Sequence, residues 1–343
     1  MDLGTFNLRV AITDLNGELL ASLHVPTEIW RGKSGFLQRC FSAVRETLNS
    51  AGMDAHSIIG TGIAFSGVID TENGVVLSYP RPGQVEEWRN VPLRKLAEDE
   101  FGVPCIIEDS VRAVATTERQ IGLGRNLSNF VYIDVGMGAG AAIYIDGRIY
   151  RGCNGSGGEF GHVKVEENGP LCQCGGSGCL EAVASCASII ESVRTAIGKG
   201  VSSRIAEMAA NNLDQITIEM IAKAAEENDS LAYRSLCEAA VFIGAASADV
   251  VNLLNPEALI FGGALFRAAG DTIIEHIRHQ VRHRAMEKSL NDVTFFLSKQ
   301  DSGAGAKGIA SLIAARLIEP LYHANSKQKA NHHLASRNCL AQY

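Results

Sequence analysis

The sequence predicts an α/β fold made of two related units, on three observations. Short apolar strands ended by glycine turns alternate with stretches of helical spacing. The opening pattern of residues 1–25, a glycine turn, a strand and then an Asp-x-x-Gly or Asp-Gly turn, recurs over residues 130–151 as a diverged internal duplication. The composition, 46% hydrophobic with 35 glycines in 343 residues and few aromatics, suits a loop-rich α/β protein with a sizeable core and about two domains.

The elements follow in order. Residues 8–15 alternate as a strand, Asn16-Gly17 is a hairpin signal, and residues 18–25 return as a second strand. Ahead of them, Asp2-Leu3-Gly4-Thr5 needs a strand leading into it, and only Met1 remains. That pattern reads either as a fragment with a misassigned start or as a natural N-terminus with a shortened first strand. Phe36, Cys40, Val44 and Leu48 are spaced as one face of a helix over 35–51. Residues 58–65 read as a buried strand ending in Ser66-Gly67. Asn73-Gly74 is a turn before the strand 75–79, and the loop that follows carries Trp88, placed either against a ligand or as a plug in the core. A helix over 92–101 and a strand over 103–107 lead to Glu108-Asp109-Ser110 and a further helix. Polar groups at a strand end lie at the sheet edge where α/β proteins bind ligands.

The second unit opens with the strand, glycine turn and hairpin of residues 130–151. Residues 183–250 are mostly helical. A strand over 258–261 runs into Gly262-Gly263, and a basic helix is expected over 271–286, a strand over 293–298 and a last helix over 302–321. The tail from Tyr322 is polar, without period, and expected to be disordered. The run RHQVRHR at 278–284 lacks the flanking turn and second helix of a DNA reader, so it reads as a solvated helix face or a subunit contact. The net charge of −7 gives no global basic footprint for nucleic acid. Nine cysteines without a signal-peptide pattern point to a reducing, cytoplasmic setting. No apolar run approaches the ~18 residues of a membrane span.

The densest chemistry lies in residues 153–181. Cys172, Cys174 and Cys179 are spaced C-x-C-x4-C, with His162 ten residues upstream. One imidazole and three thiolates are the donor set of a closed tetrahedral zinc site, and soft sulfur selects against magnesium or calcium. Gly175, Gly176 and Gly178 let a short loop turn its sulfurs inward. Three buried structural cysteines, or a disulfide, are the plainer alternative. Glu159 and Glu181 flank the ligands, and glycines on either side of Glu159 argue against a surface helix there. Three glycine turns, near Gly4, at Gly136-Met137-Gly138-Ala139-Gly140 and at Gly262-Gly263, offer backbone N–H groups that could cradle phosphate.

The stretch Gly158-Glu159-Phe160-Gly161-His162, followed by C-x-C-G-x-x-G-C-L-E, resembles the signature of the ROK family (repressors, open reading frames, kinases), and the resemblance extends over roughly residues 1–320. It implies a two-lobed actin-like ATPase fold, the sugar kinase/hsp70/actin fold, with a zinc-binding loop. On that reading residues 1–118 form an N-terminal lobe and 119–301 a C-terminal lobe with the zinc loop 162–179. Residues 302–321 pack back on the N-terminal lobe, and 322–343 form the tail. It further implies sugar contacts from Gly67, Glu159, His162 and Glu181, with zinc held by His162, Cys172, Cys174 and Cys179. The nucleotide turns would be Asp2 and Gly4, then Gly136, Gly138 and Gly140, then Gly262 and Gly263.

The chain departs from the family's kinases at two places. The kinase loop D-x-G-G-T-K/R reads Asp2-Leu3-Gly4-Thr5-Phe6-Asn7 here, and Met137 stands where the second loop carries threonine. Where the kinases read N-D-A-N-A-A-A-x-x-E, the chain reads Asp109-Ser110-Val111-Arg112-Ala113-Val114-Ala115-Thr116-Thr117-Glu118. In this register Ser110 holds the position of the general base, and a serine hydroxyl does not accept a proton near neutral pH. A register slipped by one residue would make Asp109 the base. Either residue could instead be a helix N-cap. The resemblance is therefore closer to the sugar-sensing domain of NagC/XylR-type transcriptional regulators than to the kinases. It implies a sugar or amino sugar as ligand, a homodimer or homotetramer, and DNA contact only through a segment outside this chain. The alternative is a glucokinase-like hexose or N-acetylhexosamine kinase using ATP, Mg²⁺ and Asp109.

Overall fold

A computed structural model of the chain describes residues 1–4, 7–28, 31–79 and 88–318. Thr5, Phe6 and the expected tail from Tyr322 lie outside the described residues. The chain divides into two compact units. The first comprises residues 1–76, 90–116 and 305 onward, and the second residues 77–89 and 117–304.

In the first unit the strands are β1 (Asp2–Leu3), β2 (Asn7–Thr13), β3 (Leu19–Pro26) and β4 (Thr61–Phe65), with α1 (Gly32–Ser50) between β3 and β4. A small ribbon pairs β5 (Val68–Asp70) with β6 (Val75–Ser78). Then come α2 (Leu93–Phe101), β7 (Cys105–Asp109) and α3 (Ser110–Ile121), within which the chain passes into the second unit. The sheet order is β3-β2-β1-β4-β7. β1 is antiparallel to β2 and parallel to β4, and β4 is parallel to β7.

The second unit holds β8 (Phe130–Val135), β9 (Ala139–Ile145), β10 (Arg148–Tyr150), α4 (Leu180–Ala184), α5 (Cys186–Gly198), α6 (Arg204–Met208), α7 (Ile218–Glu226) and α8 (Ser230–Leu254). It continues with β11 (Ala258–Gly262), α9 (Ala264–Arg284), α10 (Glu287–Leu290) and β12 (Thr294–Leu297). Its sheet order is β10-β9-β8-β11-β12, with the β8–β9 and β9–β10 pairs antiparallel and the β8–β11 and β11–β12 pairs parallel. Each sheet thus joins a three-strand meander to two parallel strands in the same order. That shared order is the structural form of the sequence repeat.

A last helix, α11, spans 304–318 and belongs to the first unit from Gly305 onward. Ile309 and Ile313 pack with Ala64, Ile106 and Ala113 in one buried cluster. The approach is close because β4 offers a glycine: a Cβ on Gly62 would lie 2.7 Å from the Ile309 side chain.

The core of the second unit is apolar helix against sheet. α8 runs between α5, α7 and α9 and buries Leu236, Ala240, Ile243 and Val251. Contrary to the sequence expectation, α8 is long and apolar enough to cross a membrane by composition. More than half of that stretch is buried inside the unit, so its apolarity is spent on the core.

Two further expectations are corrected, and the alternative left open at Trp88 is decided. The strand expected from residue 58 begins at Thr61, where pairing to Cys105 starts; Ile59 before it is 56% exposed. The basic helix expected from residue 271 begins at Ala264, directly after Gly263 at φ 91°. Its first turns bury Leu265, Phe266 and Ala269, an apolar run that hides the helical period. Trp88 is fully buried, edge-on to Tyr79 at 5.7 Å between ring centroids, and serves the core.

Candidate functional site

The Cys/His loop of the second unit closes on itself. Cys172 N–H donates to the Gly176 carbonyl and Gly175 N–H to the Cys172 carbonyl, a tight turn that brings Cys172 and Cys174 together. Antiparallel bridges Lys164–Cys179 and Leu171–Ser177 tie the two arms. Gly178 is required at the crossing: its φ is +69°, and a Cβ there would meet the Glu166 carbonyl oxygen at 1.7 Å. One ligand atom from each of His162, Cys172, Cys174 and Cys179 falls within 4.8 Å of the others. The Cys174 and Cys179 sulfurs are 3.7 Å apart, and Cys172 Sγ is 3.7 Å from His162 Nδ1. Zinc–sulfur bonds of ~2.3 Å in a tetrahedron would set sulfurs ~3.8 Å apart. The described cysteines are thiols, with no disulfide among them. Burial pushes the Cys172 thiol up to about 12, while the Gly176 N–H holds Cys174 below the usual thiol range.

His162 uses Nδ1 toward the sulfurs. Its Nε2 lies 3.8 Å from Glu159 Oε2. The two residues sit on a single 3₁₀ turn, Phe160–His162, with Glu159 at its start. The glycines argue against a surface helix here; a single turn forms because Gly158 and Gly161 let it approach β9, where Cβ atoms would meet the Ala141 and Ala139 carbonyls at 2.0 and 2.3 Å. Glu181, on α4 just after Cys179, accepts from the Ala139 N–H through Oε2 at 2.9 Å. A Cβ on Gly138 would lie 2.7 Å from that same oxygen. The turn Gly136–Gly140 is therefore fastened to the Cys/His loop through Glu181, and its Gly136 carbonyl accepts from Cys186 N–H. Gly263 continues this end of the sheet, stacked so closely on Val135 that a Cβ would clash with its backbone at 2.4 Å. Gly262 lies under the Tyr132 ring.

In the first unit, Phe65 pairs with Asp109 across β4 and β7, so the ends of both strands and Gly67 share one sheet edge. Asp109 Oδ1 accepts from Val111 N–H at 2.9 Å and Arg112 N–H at 3.1 Å, the geometry of an N-cap on α3. Ser110 Oγ is 2.7 Å from Ser66 Oγ. Behind them, buried Glu108 accepts from Arg112 Nε at 2.8 Å. Asp2 is buried and pairs with Arg9 at 3.3 Å. Gly4 hydrogen-bonds the Asn7 carbonyl through its N–H and Thr27 through its carbonyl.

Sequence reasoning missed Ser66, Glu108, Arg112 and Arg9 as partners in this edge. Ser66-Gly67 as a strand terminator was the available signal for the first; the Glu-x-x-x-Arg spacing at 108 and 112 was the signal for the second and third. Arg9 faces Asp2 only through the β1–β2 register.

Two sheets of one topology, each with polar groups at its strand ends, and a Cys/His loop fastened to a glycine turn define the class. It is an α/β protein with the actin-like sugar kinase fold. The chain belongs to the ROK family, whose profile matches residues 1–316. A xylose repressor of Caldicellulosiruptor bescii is 30% identical over 324 residues, 94% of this chain and 79% of the relative. The crystal structure of a ROK family transcriptional regulator, a homologue of the E. coli MLC protein, superposes with a TM-score of 0.78 at 29% identity, covering 92% of this chain and 76% of that one. The ROK family glucokinase of Streptomyces griseus, solved with glucose and AMPPNP, superposes with a TM-score of 0.80 at 27% identity, covering 91% and 97%.

Proposed function

We propose that this chain is the sugar-sensing effector domain of a ROK-type transcriptional regulator of carbohydrate metabolism. One observation carries the reading. At the end of β7, where phosphoryl transfer needs a base, Ser110 hydrogen-bonds Ser66 and the adjacent carboxylate caps α3. A serine hydroxyl binds hydroxyls but does not take a proton from one near neutral pH, and Asp109 Oδ1 is engaged by two backbone N–H groups of α3. A second observation supports it: Asp2, the acidic group of the first glycine turn, is paired with the Arg9 guanidinium.

The sugar contacts come from Gly67, Asp109, Ser110, Glu159, His162 and Glu181, whose carboxylates accept from hydroxyls and whose hydroxyls do either. The ligand is a small sugar or amino sugar. His162, Cys172, Cys174 and Cys179 hold one structural Zn²⁺, which clamps the loop that carries Glu159 and Glu181. DNA is reached through a segment outside this chain, and the domain works as a homodimer or homotetramer.

The kinase reading rests on the glucokinase likeness, which covers nearly all of that enzyme. It assigns Asp109 as general base, with ATP and Mg²⁺ as cofactors. Titration calorimetry over xylose, glucose and N-acetylglucosamine, paired with an ADP-release assay on the same panel, separates the two. Sugar binding without turnover is expected. ADP release that Asp109→Asn abolishes would establish the kinase.

A further inference from the structure

The basic run RHQVRHR, residues 278–284, closes α9 and has no part in the sugar reading. Helical spacing divides it by face. Val281 is fully buried, with buried Ile277 one turn before it. His279 and His283 are both exposed. They stand four residues apart, so one lies above the other on the helix surface. Their Nε2 atoms are 3.0 Å apart, while the ring centroids are 4.3 Å apart with the planes at 61°. The two rings thus converge through one nitrogen each.

The backbone that carries the pair is held on both sides. Gly244 of α8 lets the two helices close so tightly that a Cβ there would lie 2.5 Å from the Gln280 side chain. Arg278 reaches toward β12: its Nη2 donates to the Phe295 carbonyl at 3.2 Å, and its guanidinium lies 5.8 Å over the Phe295 ring. Asn252 of α8 ties off the last turn. Its Nδ2 donates to the Arg284 carbonyl at 3.3 Å, and its Oδ1 accepts from Met286 N–H at 2.9 Å. A ligand at the pair has only two side chains to order, which keeps the cost of binding small.

Two histidines one turn apart on one helix face are a chelating pair. Imidazole suits zinc, copper and nickel, whereas magnesium and calcium prefer oxygen. The separation decides the geometry. With metal–nitrogen bonds of ~2.05 Å, a right angle at the metal sets the nitrogens ~2.9 Å apart and a tetrahedral angle ~3.3 Å. The observed 3.0 Å lies nearer the right angle of a square-planar or tetragonal ion, the preference of Cu²⁺ and Ni²⁺. Arg282 and Arg284 oppose a dication, but both are exposed and their repulsion is screened by salt. The negative C-terminal end of the α9 dipole favours it.

We propose that His279 and His283 form a surface chelate for a late first-row divalent cation of tetragonal geometry, Cu²⁺ or Ni²⁺, with water in its remaining positions. Without the cation, one Nε2–H donates to the other Nε2. The cation takes both lone pairs, and the donating ring carries its proton on Nδ1 instead. The site shares no residue with the Cys/His loop and is independent of the sugar reading.

The test is equilibrium dialysis of the full chain against Ni²⁺ alone. Wild type is compared with His279→Gln, with His283→Gln, and with His283→Gln combined with Arg284→His. The last keeps all nine histidines but sets the second imidazole about 140° around the helix from the first. Wild type should hold one Ni²⁺ per chain more than any of the three. In them, affinity at this position should fall by about 100-fold or more, since two tethered ligands become one. The Cys/His loop is the same in all four, so nickel on its thiols cancels in the difference. Ni²⁺ should also raise the urea midpoint of wild type more than that of the variants. Equal binding by wild type and the combined variant would mean nonspecific uptake by histidines and overturns the proposal. So does a single variant that keeps the extra Ni²⁺. A larger wild-type excess with Zn²⁺ than with Ni²⁺ would make the site tetrahedral and overturn it as well.

Discussion

Single residues at the two sheet edges have separable jobs. Asp109 caps α3 through two backbone N–H groups. Asparagine caps about as well as aspartate, whereas alanine costs about 1 kcal/mol. Urea unfolding should therefore find Asp109→Ala destabilised by about that amount and Asp109→Asn nearly unchanged. A sugar affinity that falls in both would place the carboxylate on the ligand as well as on the helix. Gly178 is the sharper case, since its φ and its contact with Glu166 both exclude a Cβ. Gly178→Ala should open the crossing of the loop and reduce bound zinc well below the ~1 per chain expected of wild type, measured by metal analysis after dialysis. Cys174→Ser should abolish that zinc. If wild-type protein retains no metal, the zinc assignment fails while the glycine requirement stands.

At the level of elements, most of the strands and helices were legible because their apolar residues keep a period of two or near 3.6. The Cys/His loop was legible for a different reason: its four side chains lie close in sequence, and the structure brings one ligand atom of each within 4.8 Å of the others. What was not legible depends on pairing between distant segments. Glu181 reaching Ala139, Arg9 facing Asp2 and Ser110 meeting Ser66 are set by strand register and by the approach of α4 to the glycine turn. The start of α9 was hidden because its first turns carry Leu265, Phe266 and three alanines, with Arg267 alone to mark a polar face. Caps, by contrast, can be read and tested. Asp229 caps α8 at Ala232 N–H and also accepts from Arg204 N–H. Burial works to raise its pKa, but those bonds, with Ser203 and Leu231, outweigh it and hold the carboxyl below the usual carboxylate range. A depressed carboxylate contributes stability above its unfolded pKa and loses it as pH falls through the folded one. The urea midpoint should thus drop between pH 6 and pH 3 by more in wild type than in Asp229→Asn; equal slopes would remove Asp229 from the acid response.

On the scale of the whole chain, the two units differ in how they are threaded. The second is nearly continuous, residues 117–304 with a short insert from 77–89. The first is assembled from three separate stretches, the last of which begins at Gly305. Its sheet is covered on one side by α11, which follows every strand of both sheets among the described residues. Ile309 and Ile313 meet Ala64, Ile106 and Ala113 there, and Gly60 and Gly62 of the β4 arm have no side chains to cover themselves. Contacts this distant in sequence form slowly and cost loop-closure entropy before they stabilise anything. The first unit should therefore be the one that depends on the C-terminal segment. Ile309→Ala removes a fully buried side chain and should cost about 2–5 kcal/mol, read as a lower urea midpoint. Ending the chain after Ala304 should go further: amide exchange over β2, β4 and β7 should lose its protection while β8, β9 and β11 keep theirs. Loss of protection in both sheets together would mean that the second unit also needs α11 to fold, and retained protection in both would mean that β4 is covered without it.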